Sequence, residues 1–199
     1  SLDLRGAIAT SCDVYFYQLG LKLGADDLLA GAREMGFGDV SGIDLPGEMQ
    51  PTLYDDVAEY VKRRGAFNKG ETLNLAIGQG AQAQTLVNMV SFYAALASDG
   101  VKRAPYLVAR DPEAPVHSLG LTPAQLDGLR AAMSDVVTRG TAGASGGAEL
   151  DVAGKTGTGQ VSGGRRDIGW FIGYAPARQP EIVVGILVEE GEHGSLVAP

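Results

Sequence analysis

The chain has 199 residues, 45% of them apolar and 20% charged, a globular composition and a length that fits one domain. A formal charge of −8 and a pI near 4.7 argue against nucleic acid or an anionic membrane surface as principal partner. No run approaches the roughly 20 apolar residues needed to span a bilayer. The single Cys12 excludes an internal disulfide, and His117 and His193, lacking partners at metal-ligand spacing, are expected at the surface.

In chain order, Leu4, Ala7 and Ile8 recur at helical spacing, Thr10 and Ser11 interrupt, and Val14 to Leu19 begins a second apolar helix that Gly24 ends. Asp26 or Asp27 is placed to cap a third helix, through Leu28, Leu29 and Met35 and stopping at Gly36. Residues 38–52, with Pro46 and Pro51, read as a loop. Thr72 to Ile77 reads as a short extended run before Gly78-Gln79-Gly80. Thr85 to Ala97 is a long helix with Leu86, Met89, Val90, Tyr93, Ala94 and Ala97 on one face.

Pro105 to Val108 is expected as a short strand. Thr122 caps a helix that Pro123 begins and Gly140 stops. Three strands follow, Val152 to Val161, Asp167 to Tyr174 and Glu181 to Glu189, with Gly163 and Gly164 in the first turn between them. Their connections are too short for crossover helices, so the pairings are antiparallel. Helices first and a strand meander last predict an α+β layered domain, an antiparallel sheet flanked by helices.

The chemistry concentrates in Gly154-Lys155-Thr156-Gly157-Thr158-Gly159-Gln160. A Lys-Thr-Gly on a strand lines up an ammonium, a hydroxyl and an open backbone N–H, a set suited to gripping a carboxylate and steadying an oxyanion. A phosphate-binding loop is excluded. It needs Gly where this chain has Glu149, and it must open a helix, whereas here the chain runs on toward a strand. Gly78-Gln-Gly80-Ala-Gln-Ala83 resembles a dinucleotide fingerprint, but no parallel strand–helix alternation follows. Ser11-Cys12-Asp13, at the break between two helices, can expose a hydroxyl and a carboxylate; the plain reading of the same residues is a helix cap.

Taken together, these residues resemble the transpeptidase domain of penicillin-binding proteins, which is related to serine β-lactamases and carries Ser-x-x-Lys, Ser-x-Asn and Lys-Thr-Gly in chain order. Ser11-Cys12-Asp13 matches the second motif and Lys155-Thr156-Gly157 the third. Cys12-Asp-Val-Tyr-Phe-Tyr17, Gly42-Ile-Asp-Leu-Pro-Gly-Glu48, Gly70-Glu-Thr-Leu-Asn-Leu-Ala-Ile-Gly-Gln-Gly80 and Trp170-Phe-Ile-Gly-Tyr-Ala-Pro176 are similar to the class B, cell-elongation branch.

The resemblance implies a β-lactamase/transpeptidase-like fold and a peptidoglycan D,D-transpeptidase acting on D-Ala-D-Ala stem peptides. It would be trapped by β-lactam antibiotics and would work on the periplasmic side of the cytoplasmic membrane. The parent would be membrane-anchored among other cell-wall synthesis proteins, with no metal or organic cofactor. It implies roles for Ser11 in proton relay, for Lys155 as the positive field, and for Thr156 and Thr158 as hydroxyls on the substrate carboxylate. The Thr158 N–H would form half of an oxyanion hole, Gly157 would leave room along the strand, and Gln79 would lie just behind the site. Asp13 stands where the family usually has Asn, and it can only accept hydrogen bonds when ionised.

No Ser or Thr has Lys three residues later. The expectation is therefore a single partial domain over 1–199, helical to about 140 and sheet over about 150–190, without the nucleophile helix, the first strands and the last helix. By itself it would be unable to acylate. A non-catalytic peptidoglycan-binding or penicillin-sensing homologue, and a β-lactamase-like hydrolase, remain as alternatives.

Overall fold

The computed structural model describes residues 2–109, 117–160 and 166–191. His193, the turn at Gly163 and Gly164, and the expected start of a last helix at Gly194 to Pro199 lie outside them.

Two short helices open the chain, α1 (Leu4–Ala9) and α2 (Asp13–Leu23), followed by α3 (Ala25–Glu34), α4 (Val57–Arg64), α5 (Lys69–Ala76) and α6 (Leu86–Ala97). A two-residue ladder, β1 (Val101–Lys102) with β2 (His117–Ser118), precedes α7 (Pro123–Arg139) and the meander β3 (Ala153–Gly159), β4 (Ile168–Ala175) and β5 (Ile182–Val188). The meander is antiparallel throughout, in the order β3-β4-β5, with Lys155 opposite Ile172 and Gly157 opposite Trp170.

Local chemistry accounts for the helices read correctly. Thr85 caps α6 through its hydroxyl, and Thr122 with Gln125 forms a reciprocal capping box on α7, with Pro123 at the first position. Their apolar stripes meet the sheet. Tyr93, Leu96, Leu126 and Met133 pack with Ala153, Ile172 and Tyr174, while Val136, Val137 and Ala142 pack with Phe171. Full burial of each large aliphatic here contributes about 1.5–3 kcal/mol. Gly185 is required by this contact, because a Cβ there would lie 2.5 Å from Val90 Cγ2.

Three expectations about elements are corrected. Thr72 to Ile77 is not extended: Thr72 to Ala76 belong to α5 and Ile77 is its C-cap. Asn68 caps that helix by accepting from the Gly70 N–H at 2.7 Å, and α5 packs against α2 where Gly20 leaves no room for a side chain beside Ala76. The alternating residues were compatible with either state, and packing decided it. Pro105 to Val108 is not a strand, since the Leu107 and Val108 N–H groups donate to the Asp44 carboxylate at 2.7 and 3.4 Å. The helix α3 starts at Ala25, so Asp26 and Asp27 lie in its first turn, and Asp26 accepts instead from the Val57 N–H at 2.8 Å. The helix α4, to which the sequence reading assigns nothing, is held by its Asp56 cap. His117 is half-buried in β2, its Nε2 hydrogen-bonded to the Glu34 carbonyl.

Candidate active site

Ser11 owes its position to the way α1 ends. The Cys12 N–H donates to Ala7 O at 2.9 Å and the Ser11 N–H to Ile8 O at 3.2 Å, the paired closure that puts the intervening residue in the left-handed region. Ser11 accordingly has φ of 50°. Glycine is the usual occupant of such a position, and a side chain there costs roughly 1–2 kcal/mol. The helix-cap reading of this tripeptide does not describe it, because the residue capping α2 is Cys12, with no side-chain cap bond. Asp13 is exposed and is the first residue of α2, where its charge suits the helix dipole.

Opposite Ser11 lies the outer edge of β3, which has no strand partner among the described residues. Thr156 O accepts from Lys155 Nζ at 2.9 Å, and Thr158 O accepts from Gln79 Nε2 at 2.5 Å. In a strand the N–H and C=O of one residue point the same way, so the Thr156 and Thr158 N–H groups also face this outer edge. Lys155 Nζ reaches across the edge and donates to Ser11 Oγ. Burial pushes the Lys155 ammonium down to about 8, against the opposing pull of the Asp13 carboxylate. This amine thus holds its proton less tightly than an exposed lysine does, and the adjacent hydroxyl, accepting from it, keeps its own O–H to donate elsewhere.

The remaining motif residues separate by their surroundings. Thr156 is buried, and its hydroxyl pairs with the Thr141 hydroxyl at 2.7 Å, so it is engaged inside the protein rather than displayed on the strand edge. At Gly157 an added Cβ would stand 3.4 Å from Trp170 Cβ, an ordinary contact, so nothing among the described residues requires glycine there. Gln79 is half-buried and clips the end of β3 from two sides, donating to Thr158 O and accepting from the Gln160 N–H at 3.3 Å.

Sequence reasoning missed the residues that fix α1 against α7. Asp135, 9% exposed at its side chain, takes a bidentate pair from Arg5 at 2.5 and 2.9 Å and a further bond from Arg139 at 2.5 Å. These hydrogen bonds, Arg5 first, hold its carboxyl well below the usual carboxylate range. At the end of α7, Gly140 lies so close to Ala9 that a Cβ would fall 2.1 Å from its carbonyl oxygen, and the Thr141 N–H donates to that same oxygen at 3.2 Å. An acidic residue on an otherwise apolar helix face was the only signal for Asp135. Thr141, in a run of small turn residues, gave none.

Over residues 1–199 the sequence matches the family described as the penicillin binding protein transpeptidase domain. It is 33% identical to the peptidoglycan D,D-transpeptidase MrdA of Acinetobacter baumannii, over 99% of this chain and 33% of that protein. Among solved structures, it resembles the penicillin-binding protein PBP2 of Helicobacter pylori in complex with MreC, with a TM-score of 0.88 and 33% identity, over 99% of this chain and 38% of that one. It also resembles Pseudomonas aeruginosa PBP2 in complex with WCK 5153, with a TM-score of 0.84 and 36% identity, over 100% of this chain and 47% of that one. The chain thus spans about a third of the length of the curated relatives it matches.

Proposed function

Because the chain belongs to the penicillin-binding-protein transpeptidase family, we propose that it forms part of one transpeptidase domain in a longer peptidoglycan D,D-transpeptidase. The observation that carries this reading is the contact of Lys155 Nζ with Ser11 Oγ beside the open edge of β3. The substrate is a stem peptide ending in D-Ala-D-Ala, laid along that edge. A serine hydroxyl supplied by the remainder of the protein attacks the penultimate D-Ala carbonyl, its proton passing to a base supplied with it. The Thr158 N–H steadies the oxyanion, and loss of such a donor typically costs about 3 kcal/mol of transition-state stabilisation.

The departing amine of the terminal D-Ala must leave protonated. Ser11 donates its proton to that nitrogen and recovers one from Lys155, which is poised for the transfer by its desolvated ammonium. An amine of a neighbouring stem peptide then attacks the acyl-enzyme: its proton returns through Ser11 to Lys155, the base gives the serine oxygen its proton back, and one amide is exchanged for another. Before reaction, the Lys155 charge draws in the terminal carboxylate, and Thr158 carries the hydroxyl role in holding it, Thr156 being engaged with Thr141. Asp13 acts by its charge on Lys155 rather than by grasping substrate. A β-lactam enters as the same shape of acyl donor. We place the protein outside the cytoplasm with cell-wall synthesis partners, in keeping with the similarity to a PBP2 solved with MreC.

The test is to incubate the whole protein containing this chain with a fluorescent penicillin and with un-cross-linked glycan strands. Covalent labelling, together with D-Ala release matched by dimeric stem peptides, is the expected result. Labelling followed by rapid hydrolysis and no cross-links would assign a hydrolase instead, and no labelling at all would assign a binding module.

A further inference from the structure

We infer that Thr141 is a positioning residue for this site, holding the end of α1 that carries Ser11 and the stretch of β3 that carries Lys155 in one register. The inference rests on the transpeptidase reading, in which Ser11 and Lys155 are the working pair. Thr141 touches both sides of that pair at one remove. Its N–H donates at 3.2 Å to the carbonyl of Ala9, two residues before Ser11. Its hydroxyl lies 2.7 Å from that of Thr156, the residue after Lys155, whose own carbonyl receives the Lys155 ammonium at 2.9 Å.

The connection is short and stiff. Gly140 brings the turn against Ala9 with no room for a side chain, and Ala142 is buried with its N–H on Val136 O at 3.0 Å. Thr156 is itself buried, so its hydroxyl requires an internal partner, which Thr141 provides. Removing that hydroxyl while keeping the shape leaves the buried Thr156 hydroxyl unmatched and loosens the stretch of β3 around Lys155 against the end of α1. The Lys155 ammonium would then leave Ser11 and meet water.

The experiment uses the whole protein with Thr141→Val, which keeps shape, and Thr141→Ser, which keeps the hydroxyl. Two readouts are taken: acylation rate by a fluorescent penicillin, and the carbon-13 NMR titration of the Lys155 side chain, assigned with Lys155→Arg. Thr141→Val is expected to slow acylation about tenfold or more and to move the Lys155 midpoint up from about 8, whereas Thr141→Ser keeps the rate within about twofold. Should Thr141→Val fail to fold, the double variant Thr141→Val/Thr156→Val removes both hydroxyls together and is expected to fold and remain slow. A normal rate and midpoint in either valine variant, or equal impairment by serine and valine, overturns the inference. If the unaltered protein is not acylated while the midpoint still moves in valine and not in serine, the transpeptidase reading fails and the positioning role stands.

Discussion

Lys155 Nζ donates a hydrogen bond to Ser11 Oγ across 144 positions of sequence, and the serine that receives it sits in a backbone conformation normally left to glycine. A side chain is thus kept where the backbone disfavours one, as is common where a protein needs a particular group at a particular place.

A direct consequence separates stability from activity. In the whole protein, Ser11→Ala and Ser11→Gly should each lower the acylation rate about 100-fold, the usual scale for losing a positioned proton donor. Ser11→Gly should nevertheless melt at or above the temperature of Ser11→Ala, because it relieves the positive φ. An alanine variant more stable than the glycine variant would show that the left-handed turn is not strained.

The pH profile should carry the signature of Lys155. Its ammonium is lowered to about 8, so the charge proposed to draw in a substrate carboxylate is full below that pH and disappears above it. For carboxylate-bearing β-lactams, kcat/KM for acylation should therefore fall as pH rises through about 8. The limb in kcat should lie higher, because the bound carboxylate favours the charged amine. Lys155→Arg should remove the limb from the measured range, since guanidinium does not titrate there; its persistence would assign the limb to another group.

The Asp135 clamp makes a prediction on the acid side. Its folded-state carboxyl titrates below the unfolded value, so the native state binds that proton more weakly than the unfolded chain. The contribution is present above roughly pH 4, the ordinary carboxylate range, and is lost as pH falls below it. Asp135→Asn should lower Tm at pH 7, with the difference from the unaltered protein shrinking at lower pH. A difference that is constant with pH would mean the clamp contributes through packing alone.

Much of this architecture was legible in the residues. An apolar stripe from Leu86 to Ala97 marked α6, a Thr122 cap with Pro123 behind it marked α7, and apolar runs joined by short glycine-rich turns marked the antiparallel β3-β4-β5 meander. The α+β class followed from their order. What failed was local ambiguity resolved by packing. The Thr72 to Ile77 run became helical because Gly20 offers α5 a close seat, and Leu107 and Val108 gave their N–H groups to a distant carboxylate instead of a strand. Within the site, the meeting of Ser11 and Lys155 could be anticipated only through the family motifs, since no local pattern links residues so far apart. Thr141 illustrates the limit: its partners Ala9 and Thr156 lie on separate elements, and nothing in Gly140-Thr141-Ala142 distinguishes it from any other turn.

Gln79 offers a test of how firmly the strand edge must be held. Gln79→Ala removes the donor to Thr158 O and the acceptor for the Gln160 N–H, and should reduce acylation about tenfold through a displaced oxyanion donor. Gln79→Glu, which keeps the acceptor but loses the amide donor, should be no better than alanine. If glutamate restores the rate, the bond to Thr158 O is not the operative one.

The most direct measurement is a double-mutant cycle on Ser11 and Lys155, reading acylation rates of the whole protein and of the variants Ser11→Ala, Lys155→Ala and their combination. Groups that act as one relay lose their effect together, so the double variant should be no slower than the worse single variant. Losses that multiply would mean that the two side chains, though in contact, act independently, and the proposed proton path through Ser11 would be wrong.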